Sequence, residues 1–140
     1  MLVDGLNASG VYRSAFSVES WAEQPVSEVV LRNAQLEFAG GGRVWADGEA
    51  VKGPGVDARP LPAWGLYARN VDKLTVEDVR LSTLAEDTRP VVFAEQVKRL
   101  RLDNFRFMEN PQVKRTLQTN AVERLELEQT KLKPDLSRLN

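Results

Sequence analysis

The sequence contains no cysteine and no histidine in 140 residues. Without cysteine, the chain has neither disulfides nor thiolate metal sites. Without histidine, it lacks the side chain that serves most often as a general base and as a transition-metal ligand. These absences exclude most catalytic and metal-binding constellations, and we predict no catalytic residue, no metal site and no cofactor.

A large charge imbalance and long apolar segments are also absent. The formal net charge is −1 at pH 7, which is unfavourable for a nucleic-acid partner or a membrane surface. No apolar run approaches the roughly 18 residues of a membrane-spanning helix. The N-terminus has neither the basic nor the apolar region of a signal peptide, so composition leaves the cellular location undetermined. We expect one domain, residues 1–140.

What the sequence does contain is a repeat. An eleven-residue motif occurs four times without a gap, at 26–36, 71–81, 97–107 and 122–132. The last three copies begin 26 and 25 residues apart, and a fixed period of about 20–50 residues is typical of repeat architectures. Segment 2–8 matches the second half of the motif, with Val3 at the position of Val76 and Ala8 at the position of Leu81.

Each copy predicts short strands joined by bends. Leu74 and Val76 alternate with polar residues, a period of two that is typical of a strand with one buried face. A polar residue then follows in every copy, and such residues tolerate the left-handed conformation that turns a chain sharply. These bend residues are Asn33, Asp78, Asn104 and Gln129. A second strand follows the bend, and a third strand precedes each of the last three copies.

Strands this short bury their edges only by stacking on the next repeat, about 4.8 Å away. We therefore predict an all-β fold, a parallel β-helix or solenoid of about four to five coils with three short strands each. In this register Val76 stacks between Leu31 and Leu102. Leu102 in turn stacks between Val76 and Leu127. Since segment 2–8 is a partial coil, we expect a piece of a longer β-helix, whose open N-terminal coil favours a homo-oligomer.

Residues 39–63 interrupt the repeat and predict an inserted surface loop. They hold three consecutive glycines and several further glycines and prolines, a density of chain breakers that is typical of a loop. Loops inserted between coils carry most of the specificity of solenoids. Trp45 lies in this insertion, and the alternative role for it is to cover the side of the coils.

Residues 25–133 resemble the C-terminal coils of glycoside hydrolase family 28, the polygalacturonase-like enzymes. Three runs carry the resemblance, namely the motif of 71–81, the strand and glycines of 37–42, and the return run of 61–71. Residues 87–90 also fit, whereas the coil pattern alone is shared with pectate lyases and other β-helices. The resemblance implies a right-handed β-helix from an inverting enzyme that hydrolyses pectin-type polysaccharides and is usually secreted or periplasmic.

The catalytic motifs of that family are not in this sequence. Its Asn-Thr-Asp run, Asp-Asp pair, Gly-His-Gly run and Arg-Ile-Lys run are all missing, so the resemblance transfers no catalytic residue. We predict the C-terminal part of a polygalacturonase-like glycoside hydrolase that is inactive alone, and whether this chain is an enzyme stays open. The alternative is a non-catalytic carbohydrate-binding or structural β-helix protein.

Four residues are predicted to bind polysaccharide, because aromatic faces support a pyranose ring and an arginine holds a carboxylate. They are Trp64, Tyr67, Arg69 and Trp45. Trp64 and Tyr67 lie three residues apart near the start of a strand. The alternative is structural packing, with at least one of the two beneath the insertion.

The carboxylates predict no catalytic pair, although an inverting hydrolase needs two carboxyl groups about 6.5–9.5 Å apart. Glu86 and Asp87 are neighbours in a bend, and we interpret them as an exposed, solvated turn beside Arg89. An outward column of three carboxylates on successive coils has oxygens that suit a hard cation such as calcium. The column comprises Glu77, Asp103 and Glu128. The neighbouring outward basic residues are expected to neutralise it, so we predict no metal there. These residues are Arg80, Arg99, Arg101, Arg106 and Lys131.

Overall fold

The computed structural model describes residues 1–11, 15–46, 49–53 and 60–134. In this part of the chain the fold is all-β, as predicted, and contains no helix. The strands are β1 Leu2–Asp4, β2 Asn7–Val11, β3 Phe16–Glu19, β4 Val26–Gly40, β5 Leu66–Ala85, β6 Val92–Phe107 and β7 Leu117–Glu128. None of the described residues belongs to a helix long and apolar enough to cross a membrane.

The strands pair in parallel in the order β1-β4-β5-β6-β7, with β2 also on β4 and β3 also on β5. The described strands therefore form five stacked levels. Level 1 is β1 with β2, level 2 is β3 with β4, and levels 3, 4 and 5 are β5, β6 and β7. Each level lies in register on the next, apart from a register shift between Ala8 and Val11 where β2 pairs with β4.

The register between levels is the one predicted from the repeat. Leu31 pairs with Val76, and Val76 pairs with Leu102. Leu102 pairs with Leu127. The predicted stacking of the four motif copies is confirmed for this column.

Level 1 has the register predicted for segment 2–8. Val3 pairs with Leu31, and Ala8 pairs with Leu36. Among the described strands, β1 and β2 pair only with β4, so their outer edges have no strand partner there. The association of this edge with another copy stays a prediction.

Left-handed residues turn the chain at the same point in each level. The predicted bends are confirmed, with φ of 53°, 53°, 48° and 51° at Asn33, Asp78, Asn104 and Gln129. A second column of bends, which the motif does not predict, has φ of 54°, 55° and 58° at Asn70, Gln96 and Ala121. Amides of the first column bond across levels, because Asn33 Nδ2 donates to Asp4 Oδ1 at 2.9 Å and Asn104 Nδ2 to Asp78 Oδ1 at 2.8 Å.

One apolar core lies along the inward side of the levels. Its centre is formed by the inward residues of β4, β5 and β6, including Leu31, Val76 and Leu102. Leu66 and Ala68, at the start of β5, also face this core and pair with Val92 and Ala94 of β6. This part of β5 is the third strand that the sequence predicts before the motif. The outward positions of the same strands carry the charged side chains that concern function.

Candidate functional site

The bend after β5 holds both ends of the insertion 39–63, of which residues 47–48 and 54–59 lie outside the described residues. Gly42 N donates to Asp87 Oδ2 at 3.0 Å, and Arg89 Nη1 donates to the Leu61 carbonyl at 3.0 Å. A Cβ at Gly42 would overlap the guanidinium of Arg89, so a larger residue there would displace that guanidinium. The insertion is therefore fixed to level 3 at its beginning and at its return.

Asp87 is buried, at 4% exposure, and the prediction of a solvated turn was wrong for this residue. Arg89 Nη2 lies 2.6 Å from Asp87 Oδ2, and Arg89 Nε lies 2.9 Å from Oδ1. Burial alone would raise the pKa of Asp87, but the hydrogen bonds from Arg89 and from the Gly42 N–H hold that pKa below its usual value. A general acid needs a raised pKa, so Asp87 and its exposed neighbour Glu86 do not form a hydrolytic pair.

The predicted sugar-binding aromatics do not form an exposed platform. Trp64 is 3% exposed and Tyr67 is fully buried, so neither ring offers a face to a sugar. Trp64 packs edge-on against Phe38, with ring centroids 6.2 Å apart. Trp45 is half-buried in the insertion. The burial of Trp64 and Tyr67 agrees with structural packing, the alternative for these two residues.

Arg69 is occupied by internal partners. It forms an ion pair with Glu95 Oε1, and this oxygen also accepts a hydrogen bond from Tyr67 Oη at 3.0 Å. Its guanidinium also lies 3.9 Å from the centre of the Trp21 ring. Burial, with the Glu95 charge second, raises the pKa of Tyr67 well above its usual value, which keeps the phenol protonated. The contact between Trp21 and Arg69 was not predicted from the sequence, because the two residues lie 48 positions apart in the chain.

The outward column of carboxylates is stacked as predicted and is paired with arginine. Glu77, Asp103 and Glu128 are Cα partners on successive levels. Arg101 Nη2 lies 3.4 Å from Asp103 Oδ2 and 3.6 Å from Glu128 Oε2. In the part of the chain that the structure describes, no group of three acidic, histidine or cysteine side chains could hold a metal ion. Arg101 thus pairs with two of the three carboxylates. Among the described residues, Arg80 and Arg106 form no ion pair with the column, contrary to the expectation that they help to neutralise it.

A cleft that the sequence analysis did not identify lies beside Arg80 and Arg106. These arginines and Gln35 are Cα partners on levels 2, 3 and 4, on the outward side of the strand that follows the first bend. The cleft has a volume of about 620 Å³, and we call it the arginine cleft. Its lining residues are Arg80, Leu81, Ser82, Phe105, Arg106, Phe107, Met108, Glu109, Gln129, Thr130 and Lys131.

The two arginines also line a second cleft, of about 480 Å³, next to the first column of bends. Arg80 and Arg106 therefore border both depressions on this face. Outward arginines at corresponding motif positions were the available signal in the sequence. The pattern does not say which of them lack a carboxylate partner, and the sequence analysis assigned both arginines to the acidic column instead.

Comparison with known proteins finds no relative, since no protein-family model, no curated protein and no solved structure matches the chain.

Proposed function

We propose that this chain is a segment of a right-handed parallel β-helix of the polygalacturonase-like type, and that it binds pectin-type polysaccharide without cleaving it alone. The proposed fold rests on the two columns of residues with left-handed backbone conformation, which turn the chain at the same two places on successive levels. Levels 3, 4 and 5 have both bends at matching positions, and this recurrence supports coils of three strands, as in a β-helix.

The binding role is supported by the outward face of the levels. In-register stacking repeats outward side chains about every 4.8 Å, so the face is an extended, regularly spaced surface that suits a linear polymer. The basic residues that border the arginine cleft give part of this face affinity for acidic groups.

The ion pairs of the carboxylates support the proposal that the chain alone does not hydrolyse the polysaccharide. Asp87 is buried and ion-paired with Arg89, and Asp103 and Glu128 are paired with Arg101. The pair with Arg89 helps to hold the pKa of Asp87 below its usual value, whereas the acid of an inverting pair must hold a proton. A stand-alone binding or structural protein is the second candidate, and the same pairing favours it.

Two assays with the purified protein test the proposal. Affinity electrophoresis should retard the protein in a gel that contains polygalacturonate but not in one that contains a neutral galactan. A reducing-sugar assay on polygalacturonate should give no release above buffer. Release that disappears in the Glu86→Gln variant would contradict the proposal, and equal mobility in both gels would contradict the binding role. Asn-Thr-Asp, Asp-Asp and Gly-His-Gly runs in the adjoining upstream reading frame would favour the polygalacturonase-like parent over a stand-alone binding protein.

A further inference from the structure

Arg80 and Arg106 place two positive charges side by side on the outer surface. They are Cα partners in β5 and β6, so their backbones lie about 4.8 Å apart. Both residues are exposed. Like charges directly opposite each other on neighbouring strands destabilise a sheet, so packing within the chain does not account for the pair.

The nearby carboxylates do not neutralise this pair. Arg106 Nε donates to Asn104 Oδ1 at 3.1 Å, a neutral acceptor, and Asp78 accepts from the amide of the same Asn104. Within the described residues, the side chain of Arg80 has no hydrogen bond or ion pair. Glu109, the acid that lines the arginine cleft, lies 3.4 Å from Lys131 Nζ. Both guanidinium groups are therefore available to an anionic ligand.

The rest of the arginine cleft offers the other contacts of a small-ligand site. Its volume of about 620 Å³ lies within the range of roughly 300–1,000 Å³ that is usual for such sites. Phe107 and Met108 supply apolar surface, and Ser82 and Gln129 supply a hydroxyl and an amide. A carboxylate, an apolar ring face and several hydroxyls are together the features of a sugar acid.

The geometry points to the arginine cleft as a binding site for a uronate, the carboxylated sugar unit of an acidic polysaccharide. Arg80 and Arg106 share its carboxylate, and the sugar ring lies against Phe107 and Met108. The class of polysaccharide rests on the proposed function, whereas the unneutralised arginine pair does not. Nucleic acid is disfavoured because the chain has a net charge of −1 and Asp78 and Glu109 border this face.

The test is calorimetric titration of the full chain with trigalacturonate, with neutral galactotriose as the matched ligand. The variant Arg80→Gln/Arg106→Gln removes both charges and keeps hydrogen-bonding groups. Its control is Arg124→Gln, which removes an arginine whose side chain is 69% exposed in β7 and which does not line the cleft. Circular dichroism and the midpoint of thermal unfolding of every variant establish that it is folded.

We expect the double variant to bind trigalacturonate at least about tenfold more weakly, since each hydrogen bond to a charged group contributes that order of affinity. Arg124→Gln should bind like the native chain. The variant Arg80→Lys/Arg106→Lys keeps the charge but loses the bidentate geometry, so its affinity should be intermediate. Added salt should weaken binding by the native chain.

Native-like affinity of the double variant would overturn the site while leaving polysaccharide binding by the chain intact. No binding of any uronate would overturn both this site and the proposed function. Equal binding of galactotriose would show that the carboxylate is not recognised, and it would overturn the inference. Binding of inorganic phosphate or single-stranded DNA without binding of trigalacturonate would assign the arginines to another anion and overturn it too.

Discussion

Leu102 in β6 and Leu127 in β7 are the same residue type at the same position of the repeat, yet their exposure differs. They are Cα partners, and Leu102 is fully buried whereas Leu127 is only half-buried. Val76 and Val3 show the same contrast at the other end of the column. Among the described strands, the middle residues have a level on each side, and the end residues have one. Burial in this fold thus depends on the neighbouring level more than on the residue itself.

The contrast has an energetic consequence. Burial of apolar surface contributes roughly 25 cal/mol per Å², so a level between two others contributes more to folding than an end level of the same composition. The stability of a stacked repeat is approximately a sum of level and interface contributions. We therefore expect levels 1 and 5 to open before levels 3 and 4.

The largest predicted effect is that of a charge in the middle of the column. Leu102→Asp should lower the free energy of unfolding by more than about 4 kcal/mol, because it removes a buried side chain and buries an unpaired carboxylate. Leu127→Asp should lower it by roughly 1–3 kcal/mol, since the half-buried carboxylate can reach water. Urea denaturation followed by far-ultraviolet circular dichroism measures both values.

Equal losses in the two variants would contradict the difference between middle and end levels. Amide hydrogen exchange of the native chain gives an independent control, because protection should fall from β5 and β6 towards β7. Uniform protection across all levels would mean that the levels unfold together.

The bends sharpen the comparison, since the bend after β5 is covered by the insertion and the bend after β6 is exposed. Asp87→Asn should lower the free energy of unfolding by about 3 kcal/mol or more, because it leaves Arg89 with a neutral partner in a buried site. Glu109→Gln removes the exposed pair with Lys131 and should cost less than about 1 kcal/mol. Chemical denaturation at pH 7 measures both, and similar losses would mean that the insertion does not shield Asp87.

The low pKa of Asp87 also predicts how stability changes with pH. A carboxyl with a folded-state pKa below its unfolded value of about 3.9 stabilises the protein above that pH, and the contribution is lost as pH falls through the folded pKa. The native chain should therefore lose thermal stability below about pH 4 more steeply than the Asp87→Asn variant. Parallel curves of the unfolding midpoint against pH would show that Asp87 does not carry this dependence.

The sequence predicted the register and the first column of bends because both depend on local patterns. The alternation of Leu74 and Val76 with polar residues indicates the inward face, and a polar residue such as Asn104 indicates the turn. The second column was not predicted, since Gln96 and Ala121 are not characteristic of left-handed turns. Neither was the burial of Asp87, which depends on contacts with an insertion about 45 residues earlier in the chain.

The candidate site, too, could be predicted from the sequence only as far as local patterns reach. The sequence places Arg80 and Arg106 on the outward face, but the partner of each outward charge depends on side-chain geometry across levels. Arg101 has carboxylates within reach on its own and the next level, whereas Arg80 has none among the described residues. The sequence also did not predict that Trp64 and Tyr67 are buried, because burial at the start of a strand depends on tertiary contacts.

The smallest predicted effect uses one substitution at two places, where it should have opposite signs. Ala121 in β7 is exposed and has a φ of 58°, a conformation that costs a residue with a Cβ about 1–2 kcal/mol. Glycine removes that cost but adds roughly 0.5–1 kcal/mol of unfolded-state entropy, so Ala121→Gly should raise stability by up to about 1 kcal/mol.

Ala94 in β6 is the matched control, because it is fully buried and is not among the left-handed residues. Ala94→Gly should lower stability by roughly 1–2 kcal/mol, since it loses a buried methyl group and gains the same unfolded-state entropy. Because Ala121 lies in an end level, the stabilisation by Ala121→Gly should be larger when measured by amide exchange in β7 than when measured by global denaturation. A loss of protection in β7 on Ala121→Gly would mean that residue 121 does not turn the chain, and the second column of bends would then end at level 4.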